Sequence, residues 1–275
     1  SVAAGLLAAL DHRAQLVNLS LGSSEDNPMI RESIQLLQES GALVIAASGN
    51  SARAQAAYPA AYPGVVSVGA VDGRGTQLEF SNYADALSIT APGYAVNATS
   101  PGGGYIRMSG TSASTPFVTG AIPATMSTSP TVLTPQQASD IVMSCTNEAG
   151  IPGPDSQYGF GILNIDRVMN RNQPGRVDLA ITHQVYAPAT SQLSVTLQNR
   201  GTVNMVNVLV EVTTASGTNR LNINSISPGA VQTVSLPIIP GTQSPFTVTT
   251  TLDTGANGPD LKPADNTASA SFSLR

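Results

Sequence analysis

Lysine is nearly missing from this chain: Lys262 is the only one among 275 residues, and charged side chains of all kinds make up 11%. The arginines are scattered and never form a stripe, so the basic footprint of a nucleic-acid-binding surface is absent. A net charge of −5 argues the same way. One cysteine, Cys145, excludes an intrachain disulfide framework. No apolar run approaches the length of a membrane span, and no secretory leader is recognisable within these residues. Only two histidines occur, His12 and His183, and neither sits in a motif. General acid–base chemistry built on histidine therefore has little to draw on.

What is present is a 41% apolar chain whose polarity comes from Ser, Thr and Asn, long enough for one large or two moderate domains. Val2, Leu6, Ala9 and Leu10 recur at helical spacing, so the sequence opens inside or at the start of an amphipathic helix. Leu16 to Leu21 reads as a short strand. Asn27-Pro28 makes an N-cap and first helical residue, with Ile30, Ile34 and Leu37 on one face and Gly41 as the stop. Ala42 to Ala47 is a continuous apolar run of the kind found in buried parallel strands. Val65 to Val71 and Ala86 to Thr90 read as further strands. Thr134-Pro-Gln-Gln137 is a capping box, opening a helix whose apolar side (Ala138, Ile141, Val142, Cys145) implies a buried, inert thiol. Alternating strands and helices over residues 1–172 predict an α/β layer with a mostly parallel sheet and flanking helices.

Around Arg171-Asn-Gln-Pro-Gly175 the period changes. From Val177 to residue 275 the chain is strand-length runs rich in Val, Thr, Ser and Leu, such as Leu193, Val195, Leu197 and Val206, Val208, Val210. This predicts a second domain, an antiparallel β-sandwich of immunoglobulin-like kind.

One stretch carries a chemical signal. Ser109-Gly-Thr-Ser-Ala-Ser-Thr-Pro116 delivers Ser112 through a tight Gly110-Thr111 turn to the start of an apolar helix. There the backbone N–H groups have no intrahelical partners and the helix dipole favours a developing negative charge. Read alone, this stretch favours Ser112 as an ordinary helix-capping serine. Pro116 suits an early helical position, whereas Pro123 predicts a kink or an early end.

The Ser109–Pro116 stretch resembles the nucleophile motif of subtilisin-like serine proteases. Further segments resemble the same family in the same order: Leu16-Val-Asn-Leu-Ser-Leu-Gly22, Val44-Ile-Ala-Ala-Ser-Gly-Asn50, the run from Tyr58-Pro59 to Asp72, Phe80-Ser-Asn-Tyr83, Ile89-Thr-Ala-Pro-Gly93 and Tyr158-Gly-Phe-Gly-Ile-Leu-Asn164. The resemblance implies a partial subtilisin-like fold and a serine endopeptidase that passes through an acyl-enzyme on Ser112, with Asn50 as an oxyanion-hole donor. It implies that Ser20, Leu21 and Gly22 pair with the substrate backbone, and that Ala47, Ser48 and Gly49 wall the pocket for the side chain before the scissile bond. Small residues there suggest a broad, apolar-leaning preference. The Tyr58-Pro59 bond is usually cis in the family. In the second domain, Asp178-Leu-Ala-Ile181, Asn199-Arg-Gly-Thr202 and Ala264-Asp-Asn-Thr267 resemble CARDB-type modules.

A serine nucleophile needs a base, and the base an orienting carboxylate. In the family both precede the helix with which this sequence opens, and no Asp-[Ser/Thr]-Gly or His-Gly motif lies upstream of Ser112. Asp11-His12 falls on a helix-to-strand connection and does not serve as a dyad. The expectation is a C-terminal part of a protease domain, acting with an N-terminal portion, covalent or in trans, on polypeptide substrates in a secreted or cell-surface setting. The alternatives are a catalytically inactive pseudoprotease, a surface binding module in which the sandwich carries the function, and a hydrolase with a non-standard base. No cofactor or catalytic metal is expected; structural calcium in the acidic loop from Asp253 to Asp265 competes with a plain solvated connection. No nucleic acid and no membrane span are expected.

Overall fold

The computed structural model describes residues 1–239 and 244–273. The chain divides into two compact units, Ser1–Thr146 with Gly153–Met169, and Asn147–Pro152 with the residues from Asn170 onward.

The first unit opens with α1 (Val2–Asp11), β1 (Leu16–Leu19), α2 (Pro28–Glu39), β2 (Leu43–Ala47), β3 (Val66–Val71) and β4 (Ile89–Pro92). The four strands form one parallel sheet in sequence order, with Leu16 opposite Leu43, Ile45 opposite Val66 and Val68 opposite Ile89. Every residue of β2 is buried because both faces of the sheet are covered. Leu43 and Ile45 pack towards one core, and Val44 and Ala46 towards the other, as the two-residue period of a strand demands. Leu6, Ile34 and Leu37 of α1 and α2 complete the second core. Asn27 caps α2 by accepting from the Ile30 N–H at 3.2 Å, worth about 1 kcal/mol. Tyr62 fixes the same end, donating its hydroxyl to Asp26 at 2.6 Å. Burial, then that contact, pushes the Tyr62 hydroxyl pKa up.

Beyond β4 the chain makes a two-stranded antiparallel hairpin of β5 (Val96–Ser100) and β6 (Gly104–Met108), and then α3 (Thr111–Ser127), α4 (Pro135–Ser144) and α5 (Ile165–Asn170). Val118, Ala121 and Ile122 of α3, with Ala138 and Val142 of α4, close the first core against β2, β3 and β4. The helix does not end at Pro123 and runs on to Ser127. Hydroxyls bind to carbonyls one turn back on either side, Thr119 to Thr115 and Thr125 to Ala121, while Ile122 is fully buried. Packing outweighs the one hydrogen bond that proline removes. Cys145 caps the end of α4, half-buried against the same core.

The second unit is the expected sandwich. It holds β7 (Leu179–Ala187), β8 (Gln192–Asn199), β9 (Met205–Thr214), β10 (Gly217–Ile226), β11 (Val231–Pro237), β12 (Phe246–Asp253) and β13 (Thr267–Phe272). Sheets ordered β10-β9-β12-β13 and β11-β8-β7 are antiparallel throughout. Their inner faces share one core that includes Leu193, Val195, Leu197, Val208 and Val210. Val206 is exposed, because left-handed backbone at Asn207 (φ 52°) breaks the alternation and Met205 takes the inward place.

Candidate active site

Ser112 is the second residue of α3 and half-buried. Gly110 precedes the helix at φ 149°, where a Cβ would come within 3.1 Å of Asn50 Nδ2. That close approach and the left-handed φ account for glycine here. Gly93 is equally constrained: its N–H donates to Val71, its C=O accepts from Gly110, and a Cβ would run into Ser114 Oγ and Ala70 Cβ. The end of the parallel sheet thus grips the start of the helix that carries the serine.

The loop after β2 supplies the second element. Asn50 Oδ1 accepts from the Thr111 N–H at 2.8 Å and from Thr111 Oγ1 at 3.0 Å, while Thr111 Oγ1 accepts from the Gly49 N–H at 3.2 Å. A backbone N–H can only donate, so these contacts fix which end of the amide is oxygen. The Asn50 amino group, on an exposed residue, has no acceptor among the described residues. Among the described residues neither the Ser112 N–H nor its hydroxyl has a hydrogen-bond partner. The Asn50 amino group and the Ser112 N–H are thus both uncommitted among the described residues, and the Asn50–Thr111 pairing ties the loop after β2 to the residue that precedes Ser112.

Asn82, whose role the sequence did not reveal, holds this loop. Nearly fully buried, it donates Nδ2 to the Ser48 carbonyl at 3.0 Å and accepts at Oδ1 from the Ser51 and Arg53 N–H groups at 2.9 and 3.2 Å. Its own N–H donates to Gly49. The Phe80-Ser-Asn-Tyr83 stretch was the only signal for it.

The other site candidates fall on two walls. Ser20 accepts from Asn18 Nδ2 at 2.9 Å, Leu21 is exposed, and Gly22 packs so that a Cβ would sit 3.1 Å from Ala57 Cβ. Ser23 and Tyr58 exchange backbone hydrogen bonds of 2.8 Å, and the Tyr58-Pro59 peptide is cis. Ala47 and Ser48 are buried behind the wall, with the Ser48 carbonyl accepting from Ala57 at 2.7 Å, and Gly49 bends the chain at φ 109°. On the far side of Ser112 lies an apolar cavity of about 360 Å³ lined by Val96, Met108, Ala113, Pro116 and Phe117.

No histidine or carboxylate reaches Ser112 among the described residues. His12 is exposed and ends α1, donating its backbone N–H to Ala8, and His183 lies in β7 of the second unit.

In the acidic loop of the second unit, Asp260 and Asp265 come together with Asp178 so that one carboxylate oxygen from each lies within 4.8 Å of the others. These are the residues that could hold a cation. They already share a positive charge, since Arg200 Nη1 lies 2.9 Å from Asp265 Oδ2. Burial pushes the Asp265 carboxyl up, with Arg200 opposing and Asp178 and Asp260 reinforcing. Burial pushes the Arg200 guanidinium down, against the pull of Asp265 and Asp178.

Residues 1–161 match the family model described as the subtilase family, and residues 176–270 match CARDB. Alkaline elastase YaB of Bacillus sp. (strain YaB) is 34% identical over 165 residues, which are 60% of this chain and 43% of that protein. Subtilisin Savinase of Lederbergia lenta is 35% identical over 166 residues, 60% of each chain. Among solved structures, the prenylagaramide maturation protease PagA superposes with a TM-score of 0.55 at 31% identity, covering 62% of this chain and 66% of the other. The patellamide maturation protease PatA gives 0.56 at 28% identity, covering 62% and 67%. The chain spans about half the length of the curated relatives it matches.

Proposed function

The chain belongs to the subtilase family, and from that premise we propose that it carries the nucleophile half of a serine endopeptidase. Ser112 gives its proton to the base and attacks a peptide carbonyl, the Ser112 N–H and the Asn50 amide hold the oxyanion, and the C–N bond breaks as the base returns the proton to the departing amine, leaving an acyl-enzyme. Water then releases the acyl group. The observation that carries this reading is the Asn50–Thr111 pairing, which holds the Asn50 amide, with its amino group uncommitted, against the residue that precedes Ser112.

The base and its orienting carboxylate come, in this reading, from polypeptide outside these 275 residues, joined to them or supplied in trans. Two features support that placement: no such groups stand beside Ser112 among the described residues, and the outer edge of β1 carries no further strand of the sheet among them. Polypeptides are the substrates, and the setting is outside the cell or at its surface. No described helix is long and apolar enough to cross a membrane.

The test is labelling with a fluorophosphonate, which needs both base and oxyanion donors. The chain alone is expected to label at background. Adding an Asp- and His-bearing subtilase fragment is expected to confer labelling that Ser112→Ala abolishes. Failure of every such fragment, with the first unit folding cooperatively alone, would favour the non-catalytic binding module.

A further inference from the structure

A second, smaller cavity of about 100 Å³ is lined by residues that follow Asn50 in the same loop and by the segment after β1. It lies well below the roughly 300 Å³ at which pockets for drug-sized ligands begin, and so takes a single side chain. Its lining includes Gly22, Ala57, Ser23, Ser51, Gln55 and Arg53. It is tied to the nucleophile through adjacent residues: Ser51 follows Asn50, Asn50 accepts from Thr111, and Ser112 is next.

Arg53 is the only charged residue lining this cavity. It is exposed, and its guanidinium has no ion-pair or hydrogen-bond partner among the described residues. Its backbone is fixed all the same, the N–H donating to Asn82 Oδ1 and the carbonyl accepting from Tyr83. The acidic residues that follow the Gly22–Ser24 wall do not neutralise it: Glu25 and Asp26 are not part of the lining, and Asp26 is engaged by Arg31 and Tyr62. The remaining polar lining groups are hydroxyls and amides, all able to donate.

We infer that this cavity receives the substrate side chain preceding the scissile bond, and that Arg53 selects a carboxylate there, aspartate or glutamate. This departs from the apolar-leaning preference expected from the small residues of the walls. The inference rests on the peptidase reading for the direction in which substrate lies, and the two are tested by separate readouts.

The experiment measures binding of fluorescent tetrapeptides with a free C-terminal carboxylate to the full 275-residue chain, identical except for Glu, Gln or Lys at the last position. The Glu peptide is expected to bind roughly two- to fivefold more tightly than the Gln peptide, the scale of one solvent-exposed ion pair. The chain's net charge of −5 works against this order, so non-specific attraction would favour Lys instead. Arg53→Gln is expected to erase the preference and Arg53→Glu to shift it to Lys, both with unchanged folding because the side chain has no partner to lose. Equal binding of the peptides, no binding, or a preference unmoved by Arg53→Glu would overturn the inference. Ser112 labelling is read independently, so loss of the peptidase reading would appear there and not in the binding order.

Discussion

Asn50 accepts two hydrogen bonds from one residue, Thr111, through its backbone N–H at 2.8 Å and its hydroxyl at 3.0 Å. The consequence is a division of labour within one amide, its oxygen structural and its nitrogen free for chemistry. Asn50→Asp separates the two. The acceptor remains, and a carboxylate at the start of a helix is electrostatically favoured, so stability should change by less than about 1 kcal/mol. The donors are gone, so turnover of the complemented peptidase should fall roughly 10²–10³-fold, the range known for the corresponding donor of subtilisin. Asn50→Ala should in addition lose about 1–3 kcal/mol, because the buried Thr111 N–H is left unsatisfied. Urea unfolding beside initial rates distinguishes these outcomes; equal rates for Asn50→Asp and wild type would remove Asn50 from the oxyanion site.

Two glycines make a paired test of how the sheet grips α3. At Gly93 a Cβ meets Ser114, Ala70 and the Gly110 carbonyl, whereas at Gly5 it meets nothing within 4 Å. Gly93→Ala should therefore cost about 1–3 kcal/mol of stability and displace the start of α3, with Ser112 labelling reduced. Gly5→Ala, in the interior of α1, should raise stability by about 0.5–1 kcal/mol. Thermal unfolding of both variants reads the contrast directly.

The parallel sheet was legible because β2 is an unbroken apolar run and α2 carries its own start and stop residues, Asn27, Pro28 and Gly41. The serine and its asparagine were legible through the resemblance of their motifs to the subtilase family, because turn chemistry at Gly49 and Gly110 alone gives only a turn asparagine and a helix-capping serine. The hairpin of β5 and β6 was not: all of β6 is exposed, so no buried face imposes an alternating pattern, and Gly102 to Gly104 reads only as a loop. Asn82 and Arg53 were hidden for a different reason. Asn82 bonds to Ser48, Ser51 and Arg53 some thirty residues away, Arg53 lines a cavity whose other walls come from distant segments, and nothing in their own neighbourhoods signals it. Val206 misled through a single left-handed residue, Asn207, whose backbone no hydrophobic pattern encodes.

The CARDB unit keeps its entire core within Val177 to Leu252, with Phe272 packed at its border. A fragment beginning at Val177 should therefore fold by itself. Far-ultraviolet circular dichroism should be that of β-sheet, with a single cooperative unfolding transition. Its losses include the Glu148 N–H bond to Gln198 Oε1 at 2.9 Å, the bonds from the Thr202 and Val203 N–H groups to the Arg176 carbonyl at 2.8 and 3.2 Å, and the Thr202 hydroxyl bond to the Gln173 carbonyl at 2.6 Å, all of which leave groups to water. A helical or unfolded spectrum would show that the boundary lies elsewhere.

The Arg200–Asp265 pair sets the pH dependence of the same unit. Burial raises the Asp265 pKa above its ordinary 3.8, Arg200 opposes this, and Asp178 and Asp260 add to it. A carboxyl whose folded pKa is raised binds its proton more readily folded than unfolded. Its contribution to stability is fully present below the unfolded value and is lost as pH rises through the folded one. The wild-type chain should thus lose stability relative to Asp265→Asn as pH rises from about 3.8. The difference should level off once the folded carboxyl is ionised. Asp265→Asn cannot titrate at this position, so subtracting its unfolding free energy at each pH isolates the effect from the other carboxylates. If the wild type instead gains stability over Asp265→Asn across that window, the attraction of Arg200 outweighs burial and the Asp265 carboxyl titrates below its ordinary value.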